Sequence, residues 1–152
     1  MLSDDEFNSY LLNLVKQQRE TLQGERDVVQ MVFALHRDKE TINAVVGGPS
    51  DPIEGLQAFG QTLSQQQDSP VEAIFVVSET VRNEVVIAGA TPDGRLNAAY
   101  LETRRTRFRK RIQFTGERIH PHGADKAFHF HRHPAAAVLI GMGQFDVSKF
   151  EA

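Results

Sequence analysis

Between residues 4 and 36 the spacing of apolar side chains changes from three or four to two, and this switch restricts the fold more than any other feature of the chain. Phe7, Tyr10, Leu11, Leu14, Val15 and Leu22 recur at helical intervals and form one apolar stripe. Ser3 and Glu6 stand at the two ends of a capping box, Leu2 and Phe7 fit a hydrophobic staple, and Gly24 is a suitable left-handed stop. A helix over roughly 4 to 23 follows. From Asp27 to His36 the period is two: Val29, Met31, Phe33 and Leu35 share one face, and Val28, Gln30, Val32, Ala34 and His36 the other. That pattern is a strand, so a helix packed on a sheet is the first expectation.

The later segments extend the same scheme. Arg37 to Glu40 is a turn candidate leading to an antiparallel strand over Thr41 to Val46, and Gly47-Gly48-Pro49 ends it. Asp51, Pro52 and Glu54 repeat the helix-start signal, with Ile53, Leu56, Phe59 and Leu63 as the stripe of a second helix reaching about Gln67. Val71 to Val81 is rich in β-branched residues and suits a strand near the sheet centre, with Val85 to Ala90 as the next. Thr91-Pro92-Asp93-Gly94 is a turn, and one long strand is predicted from about Arg95 to Phe114. Pro134 to Met142 fits either a short helix or a buried strand. The expectation is a single α+β domain over 1–152: an antiparallel sheet of about five to seven strands with two amphipathic helices, in the order α-β-β-α-β-β-β and then a histidine-rich hairpin. The order of elements is similar to that of roadblock-like and profilin-like proteins, on order alone, since no motif of either family is present.

Composition narrows the classes. At 152 residues, with 40% hydrophobic and 24% charged side chains, the chain can bury a core without staples and is not of the disordered type. The absence of cysteine removes disulfides, thiolate metal sites and a cysteine nucleophile. The start Met-Leu-Ser-Asp-Asp-Glu is acidic where a secretory leader is basic, and no apolar run approaches a membrane span. A soluble cytoplasmic protein with no membrane partner is expected. The net charge of -3 hides a split: 7 basic and 16 acidic residues over 1–103 (-9), against 10 and 4 over 104–152 (+6). Opposed ends of this kind suit a homodimer.

Arg104 to Arg111 holds six cations in eight residues. On a continuous strand Arg105, Arg107, Arg109 and Arg111 would form a row on one face, able to meet phosphate or carboxylate oxygens. Such a row is equally consistent with a charged edge strand or with pairing to the acidic first helix. An acidic protein surface or a second copy are the partners it suits, whereas a nucleic acid is disfavoured because Phe108 is the only aromatic among the cations and the overall charge is negative.

Five of the six histidines, His120, His122, His129, His131 and His133, fall within fourteen residues. If Gly123 to Lys126 is a turn, His120 lies opposite His129 and all five histidines share one face, with Ile119, Pro121, Phe128 and Phe130 on the other. Such a face can be the wet side of a hairpin, a pH-sensitive patch, or a site for a divalent transition metal such as Zn, the only cofactor class the chain suggests. No cofactor is otherwise indicated. Asp125 and Glu117 stand at no diagnostic spacing, and no metalloprotease, phosphate-loop, dinucleotide or serine-elbow motif occurs. No catalytic residue is assigned. The sequence therefore favours a non-catalytic binding or assembly module that uses a basic, histidine-rich sheet surface to contact an anionic partner or itself. The alternative is a small histidine-ligated metalloprotein with hydrolase or oxygenase chemistry.

Overall fold

The helix-start signals fix the chain's first element. In the computed structural model, which describes residues 2–44, 52–66, 70–80, 82–122, 132–146 and 148, Ser3 Oγ accepts from the Glu6 backbone at 3.1 Å. Glu6 Oε1 in turn accepts from the Ser3 backbone at 3.0 Å. Helix α1 runs Asp4–Leu22, and Gly24 follows it at φ 81. The strands are β1 Met31–His36, β2 Glu40–Ala44, β3 Val71–Glu79, β4 Glu84–Ala90, β5 Leu96–Arg105 and β6 Ile112–His120. Helix α2 spans Pro52–Gln66 between β2 and β3, and α3 spans Pro134–Gly141.

The strands form one sheet in the order β2-β1-β3-β4-β5-β6, antiparallel throughout. Helices cover both faces, and the alternation of β3 divides the core between them. Ala73, Phe75 and Val77 point to one side, where Phe7, Leu11, Leu14 and Val15 of α1 bury against them. Ile74 and Val76 point to the other, against Leu56 and Leu63 of α2 and Ala135 to Leu139 of α3. The α+β class with an antiparallel sheet is therefore the fold.

One region differs from the sequence expectation, and a second, open there between helix and strand, is decided. The long strand over 95–114 is two strands joined by a turn at Thr106 to Arg111, because the ladder of β5 on β6 closes at Arg105 opposite Ile112. The segment after Pro134 is a helix. Proline at its first position is pre-organised for helix, and the small side chains Ala135, Ala136 and Ala137 let it approach α2 closely. Glycines complete the approach: a Cβ on Gly60 would overlap the carbonyl of Val138, and one on Gly141 the carbonyl of Gln57. Being buried among apolar residues of both α2 and the sheet, α3 needs no amphipathic stripe, and for that reason its sequence carries no clear period.

Candidate functional site

The turn between β5 and β6 is built without glycine or proline. Thr106 closes it: its N–H donates to the Arg111 carbonyl at 2.8 Å, its carbonyl accepts from Lys110 N at 3.1 Å, and its hydroxyl accepts from Arg111 N at 2.9 Å. Lys110 takes the left-handed conformation at φ 53, which costs a non-glycine residue energy, so the closing bonds have to outweigh it. The base of the hairpin is fastened to the loop after α1. Gly24 N–H donates to the Ile112 carbonyl at 3.0 Å, and Ile112 N–H to the Glu25 carbonyl at 2.8 Å.

This turn divides the six cations by role. Arg111 Nη1 donates to the Gly24 carbonyl at 2.9 Å. Arg105 donates from Nη1 to the Arg26 carbonyl at 2.5 Å and pairs from Nη2 with Glu79 at 2.6 Å. Both guanidiniums are thus tied to the body of the protein. Arg104, on the opposite face of β5, is exposed and donates to Gln113 Oε1 at 3.2 Å. Arg107, Arg109 and Lys110 are exposed and have no carboxylate partner among the described residues. Phe108 sits between them at 90% exposure, with the Arg107 guanidinium 5.9 Å from its ring centre. The four arginines expected in a row, Arg105, Arg107, Arg109 and Arg111, do not form one, because the chain leaves the strand after the first of them. What stands there instead is a convex, basic tip with an aromatic apex. Charge density marked the region in sequence, but nothing in Thr-Arg-Phe-Arg-Lys signals a turn, since every one of these residues is at home in a strand.

The histidine cluster is separated in space. His120, at the end of β6, meets Tyr100 edge-on with ring centres 5.5 Å apart, on the face that carries α2 and α3. The residue after it is a proline, which has no N–H to extend the ladder. His122 lies at the other face, where its N–H donates to Asn8 Oδ1 at 2.9 Å and its ring is 6.5 Å from that of Phe7. His120 and His122 therefore do not share the face assigned to them from alternation. The turn 123–126 and both His129 and His131 lie outside the described residues.

His133 is the N-cap of α3 and is 4% exposed. Its Nδ1 accepts from the Ala136 backbone at 3.2 Å, and its Nε2 stands 3.0 Å from the Asn97 carbonyl. These two bonds define the tautomer, with the proton on Nε2 and the lone pair on Nδ1. Burial pushes its pKa down to about 4, and the bond to Asn97 only partly offsets that. With one nitrogen donating and the other accepting, the neutral ring has no lone pair left for a metal. Among the described residues no three of His, Asp and Glu gather as a metal site would require.

One polar cluster went unseen in the sequence. Arg95, 8% exposed at its side chain, pairs with Asp93 at 3.0 Å and with Asp4 at 2.9 Å, and lies 5.7 Å from the Phe7 ring centre. Burial alone would lower its pKa, but the bonds to Asp4 and Asp93 outweigh it and hold the guanidinium above its ordinary value. The arrangement ties the turn before β5 to the first turn of α1, which explains Asp4 beyond its place in the helix start. Asn97, fully buried beside it, donates to Asn8 Oδ1 at 3.2 Å and to the Phe7 carbonyl at 3.4 Å. These charges are engaged with one another and hold two elements together.

A groove of about 370 Å³ runs between α1 and β6, floored by Val15 and Ile119 and spanned by the Arg19–Glu117 pair at 3.1 Å. The pair closes on itself, and among the described residues no hydroxyl side chain or histidine lines the groove. No helix of the described residues is long and apolar enough to cross a membrane. No protein-family model, curated protein or solved structure matches this chain.

Proposed function

We propose that this chain is a non-catalytic binding module that presents the basic hairpin between β5 and β6 to an anionic partner. One observation carries the reading: Arg107, Arg109 and Lys110 surround an exposed Phe108 on a turn whose base is fixed to the protein body. Three unneutralised cations on a short convex turn make a local positive field that the net charge of -3 conceals. The fixed base matters because a pre-ordered element loses less entropy on binding. Arg105 and Arg111 contribute as anchors of the hairpin, and the contact itself falls to the residues between them together with Arg104.

A protein of net charge -3 should pass through a heparin column at neutral pH unless it displays such a patch. The wild type is expected to be retained at low salt and released as salt rises, while Arg107→Glu/Arg109→Glu/Lys110→Glu flows through. Passage of the wild type unretained would overturn the reading.

A further inference from the structure

The tip joins two chemistries that are usually kept apart. Phe108 is 90% exposed at the apex of a convex turn, and Arg107, Arg109 and Lys110 flank it, with Arg104 on the end of β5 that leads into the turn, all exposed. We propose that this tip docks the protein on an anionic lipid surface, with the Phe108 ring entering the headgroup layer and the cations set against headgroup phosphates. The inference rests on the anion-binding reading and names the partner.

Shape is the first argument. A protruding phenyl ring needs a partner that can receive it, and a protein partner needs a pocket already formed for it. A bilayer interface accepts an aromatic side chain at the headgroup level with no such pocket. The state of the cations is the second. Arg105 and Arg111 are held by hydrogen bonds to Glu79, Arg26 and Gly24, whereas no hydrogen bond fixes the side chains of Arg107, Arg109 and Lys110 among the described residues. A partner that reads bidentate geometry would meet fixed guanidiniums, while laterally mobile headgroups adapt to free ones. The acidic charge carried by residues 1–103 does not oppose the contact. At physiological salt, charges more than about 8 Å away are largely screened, and Glu79, the carboxylate at the hairpin base, is already paired with Arg105. A nucleic acid fits less well, because strand-binding surfaces stack successive bases on several aromatics and the tip offers one.

The sequence expectation of no membrane partner came from the lack of a spanning segment. A tip that lies on headgroups needs no span.

The chain contains no tryptophan, so Phe108→Trp places a single reporter at the apex. Because the position is exposed, the variant should melt as the wild type does. Its emission is expected to shift to the blue when vesicles of phosphatidylcholine mixed with phosphatidylserine are added, and to stay in place with phosphatidylcholine alone. In sedimentation, the wild type should pellet with the mixed vesicles, Phe108→Ser should pellet at least about threefold less while keeping its heparin retention, and Arg107→Glu/Arg109→Glu should lose both. Heparin retention without vesicle binding would overturn the lipid inference and leave the anion-binding reading standing. Equal pelleting of Phe108→Ser would overturn it too, because the apex would then play no part. Tryptophan quenching by a single-stranded oligonucleotide, with no response to vesicles, would assign the tip to nucleic acid instead. Loss of both heparin and vesicle binding in the wild type would sink the two proposals together.

Discussion

His133 and Phe108 sit in the two densest polar clusters of the sequence, and the fold treats them in opposite ways. His133 comes from a run of histidines that looks made for solvent or metal, and it is buried as a helix cap with both ring nitrogens bonded to backbone. Phe108 is the one apolar side chain in a run of cations, and it is the most exposed large hydrophobic residue among the described residues. Composition ranks these residues the wrong way round. The backbone decides: a helix start needs an acceptor wherever it falls, and a turn tip has nothing to pack against.

If that contrast is right, stability should fall steeply for changes around His133 and barely at all for changes at the tip. The largest effect is expected at the crossing that seats α3. Gly141→Val would drive a branched side chain into the Gln57 carbonyl, separating α3 from α2, and should cost about 4 kcal/mol or more. A chemical denaturation curve would show it, or a failure to obtain folded protein. A variant as stable as the wild type would mean that the two helices are not packed backbone to backbone.

Next comes the cap. His133→Ala removes the acceptor for Ala136 N–H and strands the Asn97 carbonyl, and should cost about 3 kcal/mol. His133→Asn keeps a capping oxygen but is too short to reach Asn97, so it should recover roughly 1 kcal/mol of that loss. Equal stability of the two variants would show that the cap contributes nothing and that the bond to Asn97 carries the whole effect.

The same residue predicts a pH profile. Its folded pKa, about 4, lies below the ordinary histidine value of 6.5, so between these two pH values the unfolded chain binds more protons than the folded one. Stability contributed by neutral His133 is therefore complete above about pH 6.5 and is lost as pH falls toward 4. Protonation would place an N–H on Nδ1 against the Ala136 N–H, donor facing donor. At pH 5 the loss should be about 2 kcal/mol. The His133→Asn variant lacks this titration, so the difference between the two proteins isolates it from the carboxylates, which titrate in both. A parallel decline in both proteins would remove the assignment.

The legibility of the molecule follows the same line. Where local pattern and tertiary demand agree, the sequence was enough: the Ser3–Glu6 capping box, the stripe of α1, the start of α2 at Pro52 and the central β-branched strand all stand where their residues put them, while Asp51, read as the cap of α2, lies outside the described residues. It failed at the turn after Arg105, because Thr106, Phe108 and the arginines are strand-permissive and no glycine or proline marks the reversal. It also failed at His133, because histidine is an uncommon cap and its role is visible only once Asn97 lies within reach. Arg95 was missed for a related reason. Its partners Asp4 and Asp93 are separated by most of the sheet in sequence, and only the packing of α1 over β5 brings them together. His120 and His122 were placed on one face by alternation, and alternation stops at Pro121; His129 and His131 lie outside the described residues.

The smallest effects test the tip from within. Arg105→Ala and Arg107→Ala remove the same side chain two residues apart, one tied to Glu79 and the Arg26 carbonyl, the other exposed beside Phe108. The first should cost about 1 kcal/mol, the worth of a charge-assisted bond and a partly exposed ion pair. The second should fall within about 0.5 kcal/mol of the wild type, as exposed substitutions do, while heparin retention weakens. Arg105→Ala is expected to retain all three cations of the tip but to hold them on a looser base, so its retention should drop less than that of Arg107→Ala. The opposite order, with the anchor mattering more for binding than the free cation, would mean that Arg105 itself faces the partner and that the hairpin opens on contact. In that case the division of the six cations into anchors and contacts would have to be redrawn from the bound state.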